Sequence, residues 1–197
     1  MLHVLRGIHR PFAFNASVER ELVALREHGT RGVIIGAMWM SLFDPLKIKT
    51  RGFSGPDDQA QYVTAAAERL VDRLTGMGFR VLIVGPIPMM PRSVPHCLAR
   101  YTVEECSPSR KTVEDTRRYA LAALRKIKAD HPGTVHLWDP VTTWCNSRTC
   151  PVRSGSAIMF TDQIHLSASG ARTLLGGARA DLEWAVGSQP ALVTEAR

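Results

Sequence analysis

No stretch of the sequence approaches the ~18 consecutive apolar residues that a membrane-spanning helix needs, so no segment reads as a transmembrane span. The opening residues, Met1 to Phe14, interleave His3, Arg6, His9 and Arg10 with apolar side chains. An unbroken apolar stretch behind a basic end, the mark of a signal peptide, is missing. The expectation is a chain with no export signal of its own. Basic residues outnumber acidic ones, 25 against 18, for a formal charge of +7, but they form no run and no stripe interleaved with aromatics. A nucleic-acid binder would show that footprint, so no nucleic-acid partner is expected. The charge reads instead as a solvated surface that governs solubility and loose association. Cysteine is scarce: the four fall in two close pairs, Cys97 with Cys106 and Cys145 with Cys150, in segments that read as loops. Paired loop cysteines point to disulfides and an oxidising compartment. Neither pair has the short spacing of a zinc knuckle, and no histidine follows at ligand spacing. Zinc and unpaired thiols remain as the lesser readings. Internal repeats and low-complexity tracts are absent as well.

What is present suffices for one globular domain: 197 residues, 45% apolar and 22% charged, near the average for such domains. Four segments carry helical periodicity. The first runs from Ser17 to His28, with Val18, Leu22 and Leu25 on one face. The second runs from Asp57 to Thr75, with Tyr62, Ala66, Leu70 and Leu74. The third starts at Thr112 as N-cap and presents Ala120, Leu124 and Ile127. The fourth follows Ser167 with Ala171, Leu175, Ala178 and Leu182. All four stripes are expected to face the core. Between them lie three short apolar runs, Gly32 to Ala37, Phe79 to Val84 and Thr134 to Trp138. Such runs fit parallel strands covered on both faces, and the alternation of helix and strand predicts an α/β fold with a parallel sheet. Pro86 to Lys111, rich in Pro, Ser and charge, reads as one long loop, which at that length is often functional. The domain is placed at residues 1–187, with 188–197 as a loose tail. Open sheets of this class usually have about five strands. With three legible here, the domain is expected to be entered partway, its first strand and the following helix missing. An unpaired apolar sheet edge would follow, and with it poor solubility.

The segment that carries chemistry is Phe160-Thr161-Asp162-Gln163-Ile164-His165-Leu166-Ser167-Ala168-Ser169-Gly170-Ala171. A short turn ahead of a helix can lay the Asp162 carboxylate against one imidazole nitrogen of His165. That fixes the tautomer and leaves the other nitrogen to take a proton from a hydroxyl nucleophile. An Asp three residues before a His is by itself common, and its ordinary meaning is a helix cap beside a surface histidine. The longer string D-x-x-H-L-S-x-x-G-A is far more specific.

That string resembles the last motif block of the SGNH, or GDSL-type, hydrolase superfamily. "VLIVGPIP" followed by a cysteine-bearing loop, "WDPVTTWCNSRTC" and "FTDQIHLSASGA" are similar to the SGNH domain fused to the C-terminus of acyltransferase-3 membrane proteins. Those are O-acetylases of cell-surface sugars. "GVIIGAMW" resembles the family's third strand, with Trp39 at its end. The resemblance spans residues 30 to 180. It implies a flavodoxin-like three-layer α/β fold, no cofactor and no metal, and a place on the periplasmic side of the bacterial inner membrane, where the paired cysteines suit the compartment. Its partners would be an acylated cell-surface polysaccharide and a membrane acyltransferase domain. It makes Asp162 and His165 the base pair of a catalytic triad and marks Gly36 and Trp39 as the substrate or oxyanion region, although the Asn that many members carry there is absent. The family's nucleophile is the serine of a Gly-Asp-Ser motif after the first strand, and this sequence has no such motif.

Two other serines, Ser41 beyond Trp39 and Ser54 in a glycine-flanked turn, lack the strand-to-helix turn that aims a nucleophile. His96, His131 and His136 have no partner at catalytic spacing, and Asp139 reads as the cap of the next turn. The expected function is therefore acyl transfer or ester hydrolysis on carbohydrate O-acyl groups, with little activity from this chain alone. A non-catalytic glycan-binding module is the alternative. A charge-driven nucleic-acid binder is the remotest reading.

Overall fold

The structure is a computed structural model that describes residues 11–43 and 53–187, with side chains from residue 16 onward. The expectations for residues 1–10 and for the tail 188–197 lie outside the described residues. In chain order the elements are α1 (Pro11–Glu27), β1 (Gly32–Ile35), α2 (Trp39–Leu42), α3 (Pro56–Gly76), β2 (Arg80–Val84), α4 (Val94–Leu98), α5 (Val103–Cys106), α6 (Arg110–Asp130), β3 (Val135–Trp138), α7 (Pro140–Trp144), β4 (Arg153–Ser154), β5 (Ala157–Ile158), α8 (Ala168–Gly177) and α9 (Arg179–Val186).

The three predicted strands form one parallel sheet in the order β1-β2-β3, in register Ile34–Leu82–His136. Side chains alternate across it, as a period of two requires. Val81, Ile83 and Val135 enter an apolar cluster with Val63, Val71 and Leu74 of α3 and Leu124 and Ile127 of α6. Leu82 and Trp138 face the other way, toward Leu174, Ala178 and Ala185. Helix, sheet and helix thus make three layers of an α/β fold, as the sequence predicted. The long helices begin where local chemistry starts them. Pro56 sits in the first turn of α3, where its missing N–H is no loss, and Asp57 and Asp58 face the positive helix end. Ser109 caps α6 by accepting from the Thr112 N–H, so the N-cap is Ser109 and Thr112 is the residue it caps.

Several stripes turn out to be less buried than periodicity implies. Val18 and Leu25 of α1 are exposed, and only Leu22 packs against the α3/α6 layer. This helix is held at its polar positions, by the Arg73–Glu19 ion pair and an Arg26 bond to the Met77 carbonyl. Tyr62 and Leu175 are exposed too. In α3 the buried stripe runs Gln59, Val63, Ala67, Val71, Leu74, one position round from the predicted one. The fourth helix is two, α8 and α9, breaking at Ala178. The predicted long loop carries the short helices α4 and α5, the latter started by a Thr102–Glu105 capping box. The β4–β5 hairpin was not predicted.

The cysteines pair as expected, Cys97 with Cys106 and Cys145 with Cys150. Among the described residues β1 is an edge strand. Its Ile34, on the α9 face, is 51% exposed, although Gly32 beside it packs so close to Ala185 that a Cβ would lie 1.9 Å from the Ala185 carbonyl oxygen. No helix among the described residues is long and apolar enough to cross a membrane.

Candidate active site

The motif begins on a fixed point. Phe160 is buried against the Trp144 ring, with centroids 5.4 Å apart. From there the chain makes a closed turn, in which the Thr161 N–H donates to the His165 carbonyl at 2.9 Å and Phe160 bridges to Leu166. Inside the turn one oxygen of Asp162 accepts the backbone N–H groups of Ile164 and His165, both at 2.7 Å. The other oxygen lies 2.6 Å from Nδ1 of His165. An Asp side chain is suited to this because its short reach closes on backbone two and three residues ahead. With Nδ1–H donating to the carboxylate, Nε2 carries the lone pair, and among the described residues it has no partner. The imidazole is about two-thirds exposed. The bond from His165 Nδ1 and the two backbone N–H groups hold the Asp162 carboxyl below its ordinary value, at about 2. The group is therefore an anion at any physiological pH.

Helix α8 starts directly behind. Ser167 caps it by accepting the Gly170 N–H at 2.9 Å. Gly170 packs so tightly that a Cβ would stand 2.2 Å from the Met159 carbonyl oxygen. Because that contact is backbone, it cannot swing away. Gly170→Ala is expected to destabilise the protein by about 1–3 kcal/mol, the usual range for an overpacked core. Denaturant unfolding of the variant checks this, and an unchanged midpoint would refute the close approach.

The turn is fastened to the chain that leaves β2. Met90 N–H donates to the Gln163 carbonyl at 2.7 Å, Val94 N–H to the Asp162 carbonyl at 3.3 Å, and Gln163 Nε2 to the Pro91 carbonyl at 3.2 Å. This places the dyad on the segments that follow the strands' carboxyl ends, where open α/β sheets bind ligands. Trp39, the first residue of α2 and four residues beyond β1, is 2% exposed and donates its indole N–H to the Val84 carbonyl at 2.7 Å. It ties the ends of β1 and β2 together, and its one donor is occupied. Gly36 lies in the same region, exposed, with open space where a Cβ would go. Ser54 bonds Asp58 at 2.9 Å, and Ser41 is in α2. Neither is a partner of His165.

The largest feature missed from sequence is Arg117. Fully buried on α6, it grips both carboxylate oxygens of Asp139 at 2.5 Å, reaches Glu114 at 3.1 Å, and donates to the Pro86 carbonyl at 3.3 Å. Burial disfavours its charge, but the two carboxylates outweigh that and raise its pKa above the ordinary value. Asp139 caps α7 through the Val141 N–H, as expected, and is in addition this ion-pair partner. A signal was available: Arg117 stands four residues after buried Val113 and three before buried Ala120, on the apolar stripe. Two histidines without near-sequence partners find distant ones. His131 Nε2 meets Asp72, and His136 Nε2 meets Asp181, each at 2.8 Å. These pairs join helices and sheet away from the Asp162 turn.

The structure thus joins a parallel α/β sheet to an Asp–His pair at a helix entrance. Residues 4–176 match the family described as "SGNH domain (fused to AT3 domains)", and the chain belongs to that family. Among solved structures the chain is similar to the periplasmic domain of a lipopolysaccharide acetyltransferase from Salmonella ser. Paratyphi A, at 14% identity and a TM-score of 0.47. The match covers 62% of this chain and 50% of that one, so the chain spans about half the length of that structure's chain. No curated protein matches it.

Proposed function

We propose that this chain supplies the general base of a serine-type acyl transfer onto cell-surface carbohydrate, with Asp162 orienting His165. The observation that carries the reading is the 2.6 Å bond from His165 Nδ1 to Asp162, which leaves Nε2 without a partner among the described residues on a largely exposed ring. The base would take the proton of a serine hydroxyl as its oxygen attacks the acyl carbonyl. The resulting imidazolium would return that proton to the departing alcohol. In the second half the same base would deprotonate a sugar hydroxyl, which takes the acyl group from the serine, or a water. The exclusion of water decides between transfer and hydrolysis. Among the described residues no hydroxyl is hydrogen-bonded to Nε2, and this reading takes the serine from outside them. Membership of a family fused to acyltransferase domains supports a membrane acyltransferase as partner and the periplasmic face as the place of work.

A fluorophosphonate probe applied to membranes that contain the protein tests this. We expect an adduct on a serine, lost in His165→Ala. Labelling that survives His165→Ala would refute the base assignment. No labelling at all would favour the second reading, a glycan-binding module without turnover.

A further inference from the structure

Beside the dyad, across the Met90–Val94 segment that fastens it, lies a cleft of about 420 Å³. That volume lies within the ~300–1,000 Å³ of small-molecule sites. Arg92, Tyr101, Glu105 and Ser107 line it, and the Cys97–Cys106 disulfide is part of its wall. We propose that this cleft is a binding subsite for an acidic sugar, the unit of the polysaccharide that carries or receives the acyl group; this rests on the carbohydrate reading above.

Three observations carry it. The Arg92 guanidinium stands over the Tyr101 ring, 5.3 Å from its centroid. Among the described residues it has no carboxylate partner, even though Glu105 lines the same cleft. A guanidinium over an aromatic ring, with no carboxylate partner among the described residues, keeps N–H groups available in the fork that takes a carboxylate. Tyr101 is about half exposed, and its ring edge and hydroxyl offer the mixed apolar and polar surface that a sugar ring needs. Glu105 is fixed in place by the Thr102 N–H, which bonds its carboxylate at 2.9 Å and lowers its pKa. It is therefore an ionised acceptor for sugar hydroxyls, held by the capping box it closes.

The cleft is also preorganised. The disulfide joins α4 to α5, and the Ser107 hydroxyl donates to Val103 and accepts from Val152. A site built this way loses little freedom on binding. The chain's overall charge of +7 draws an anionic polymer toward it. The segment shared with the Asp162 turn puts a bound sugar one loop away from His165.

The test is an NMR titration of the whole chain with trigalacturonate and, in parallel, with the neutral maltotriose. We expect trigalacturonate to shift the resonances of Arg92, Tyr101, Glu105 and Ser107. It should bind about tenfold or more tightly than maltotriose, and Arg92→Ala should weaken it by a similar factor, the effect of losing one charge-assisted pair. Tyr101→Ala should weaken both sugars. Both side chains are exposed, so the variants should keep the wild-type unfolding temperature, which is measured alongside. Equal affinity for the two sugars, undiminished binding by Arg92→Ala, or shifts elsewhere on the surface would overturn the subsite. His165→Ala separates the two proposals. Binding that persists in this variant while probe labelling is lost agrees with both. If labelling never depends on His165 but the sugar still binds at Arg92, the acyl-transfer reading fails and the subsite stands.

Discussion

Arg117→Ala is expected to destabilise the protein by roughly 3–5 kcal/mol, the cost of leaving one member of a buried ion pair uncompensated. In a domain of this size that corresponds to a fall of roughly 6–20 °C in Tm. The size follows from position. Arg117 is fully buried and the Asp139 side chain is 11% exposed, so truncation leaves an Asp139 carboxylate facing an apolar interior without its counter-charge. The variant also drops the Pro86 carbonyl and frees Glu114. By contrast Lys111–Asp115, an exposed pair on the same helix, should contribute below about 1 kcal/mol. Lys111→Ala is therefore the control. A double variant, Arg117→Met with Asp139→Leu, should recover most of the loss, because replacing both charges removes the desolvation cost instead of exposing it. Calorimetry of the four proteins checks this. An Arg117→Ala that melts like Lys111→Ala would show that the pair is not closed. The effect should also reach the site, since Asp139 starts α7, whose Trp144 supports Phe160 at the root of the Asp162 turn.

Asp162→Asn is expected to lower acyl transfer about 10⁴-fold, the scale seen when a triad aspartate is replaced by its amide. An amide at this position can offer its NH₂ to the imidazole, which then turns its lone pair inward and loses its base. The change is nearly isosteric, so the turn should persist through the bonds to Ile164 and His165, and unfolding should change far less than rate. The readout is acetyl transferred to polysaccharide by membranes containing the protein, compared with the wild type and with His165→Ala. Loss of less than tenfold would mean that Asp162 is only a turn former. The acid side offers a further check. The Asp162 carboxyl is held at about 2, below its reference value of 3.8. A depressed pKa adds stability that is present above the unfolded value and is lost as pH falls toward 2. Carbon-13 titration should find this carboxylate still charged at pH 3, where an ordinary aspartate is mostly neutral. A midpoint near 3.8 would dissolve the dyad.

Much of this was legible in the chain. The three runs of Val, Ile and Leu became the three strands, and the alternation with helices placed them parallel. The D-x-x-H-L-S-x-x-G-A string put the carboxylate, the imidazole, the Ser167 cap and the close-packed Gly170 in one local turn, where sequence neighbours are also spatial neighbours. Where the reading slipped, packing had overridden periodicity. Tyr62 has helical spacing yet faces water, because its helix buries the Gln59–Val63–Val71 side instead. Val18 and Leu25 repeat correctly, but of that face only Leu22 packs against the core.

By itself the sequence determined what depends on short separations: the strands, the Asp139 cap, the cysteine pairs five and nine residues apart, and an aspartate three residues ahead of a histidine. Only the tertiary structure decided what depends on chain segments meeting. It joined Arg117 to Asp139 across 22 residues and Trp39 to Val84 across 45, and it set Arg92 on Tyr101 at the mouth of a cleft. The reason is physical: a turn or a cap is closed by forces within one or two residues' reach, whereas a buried charge acquires its partner only when the sheet and its helices have come together.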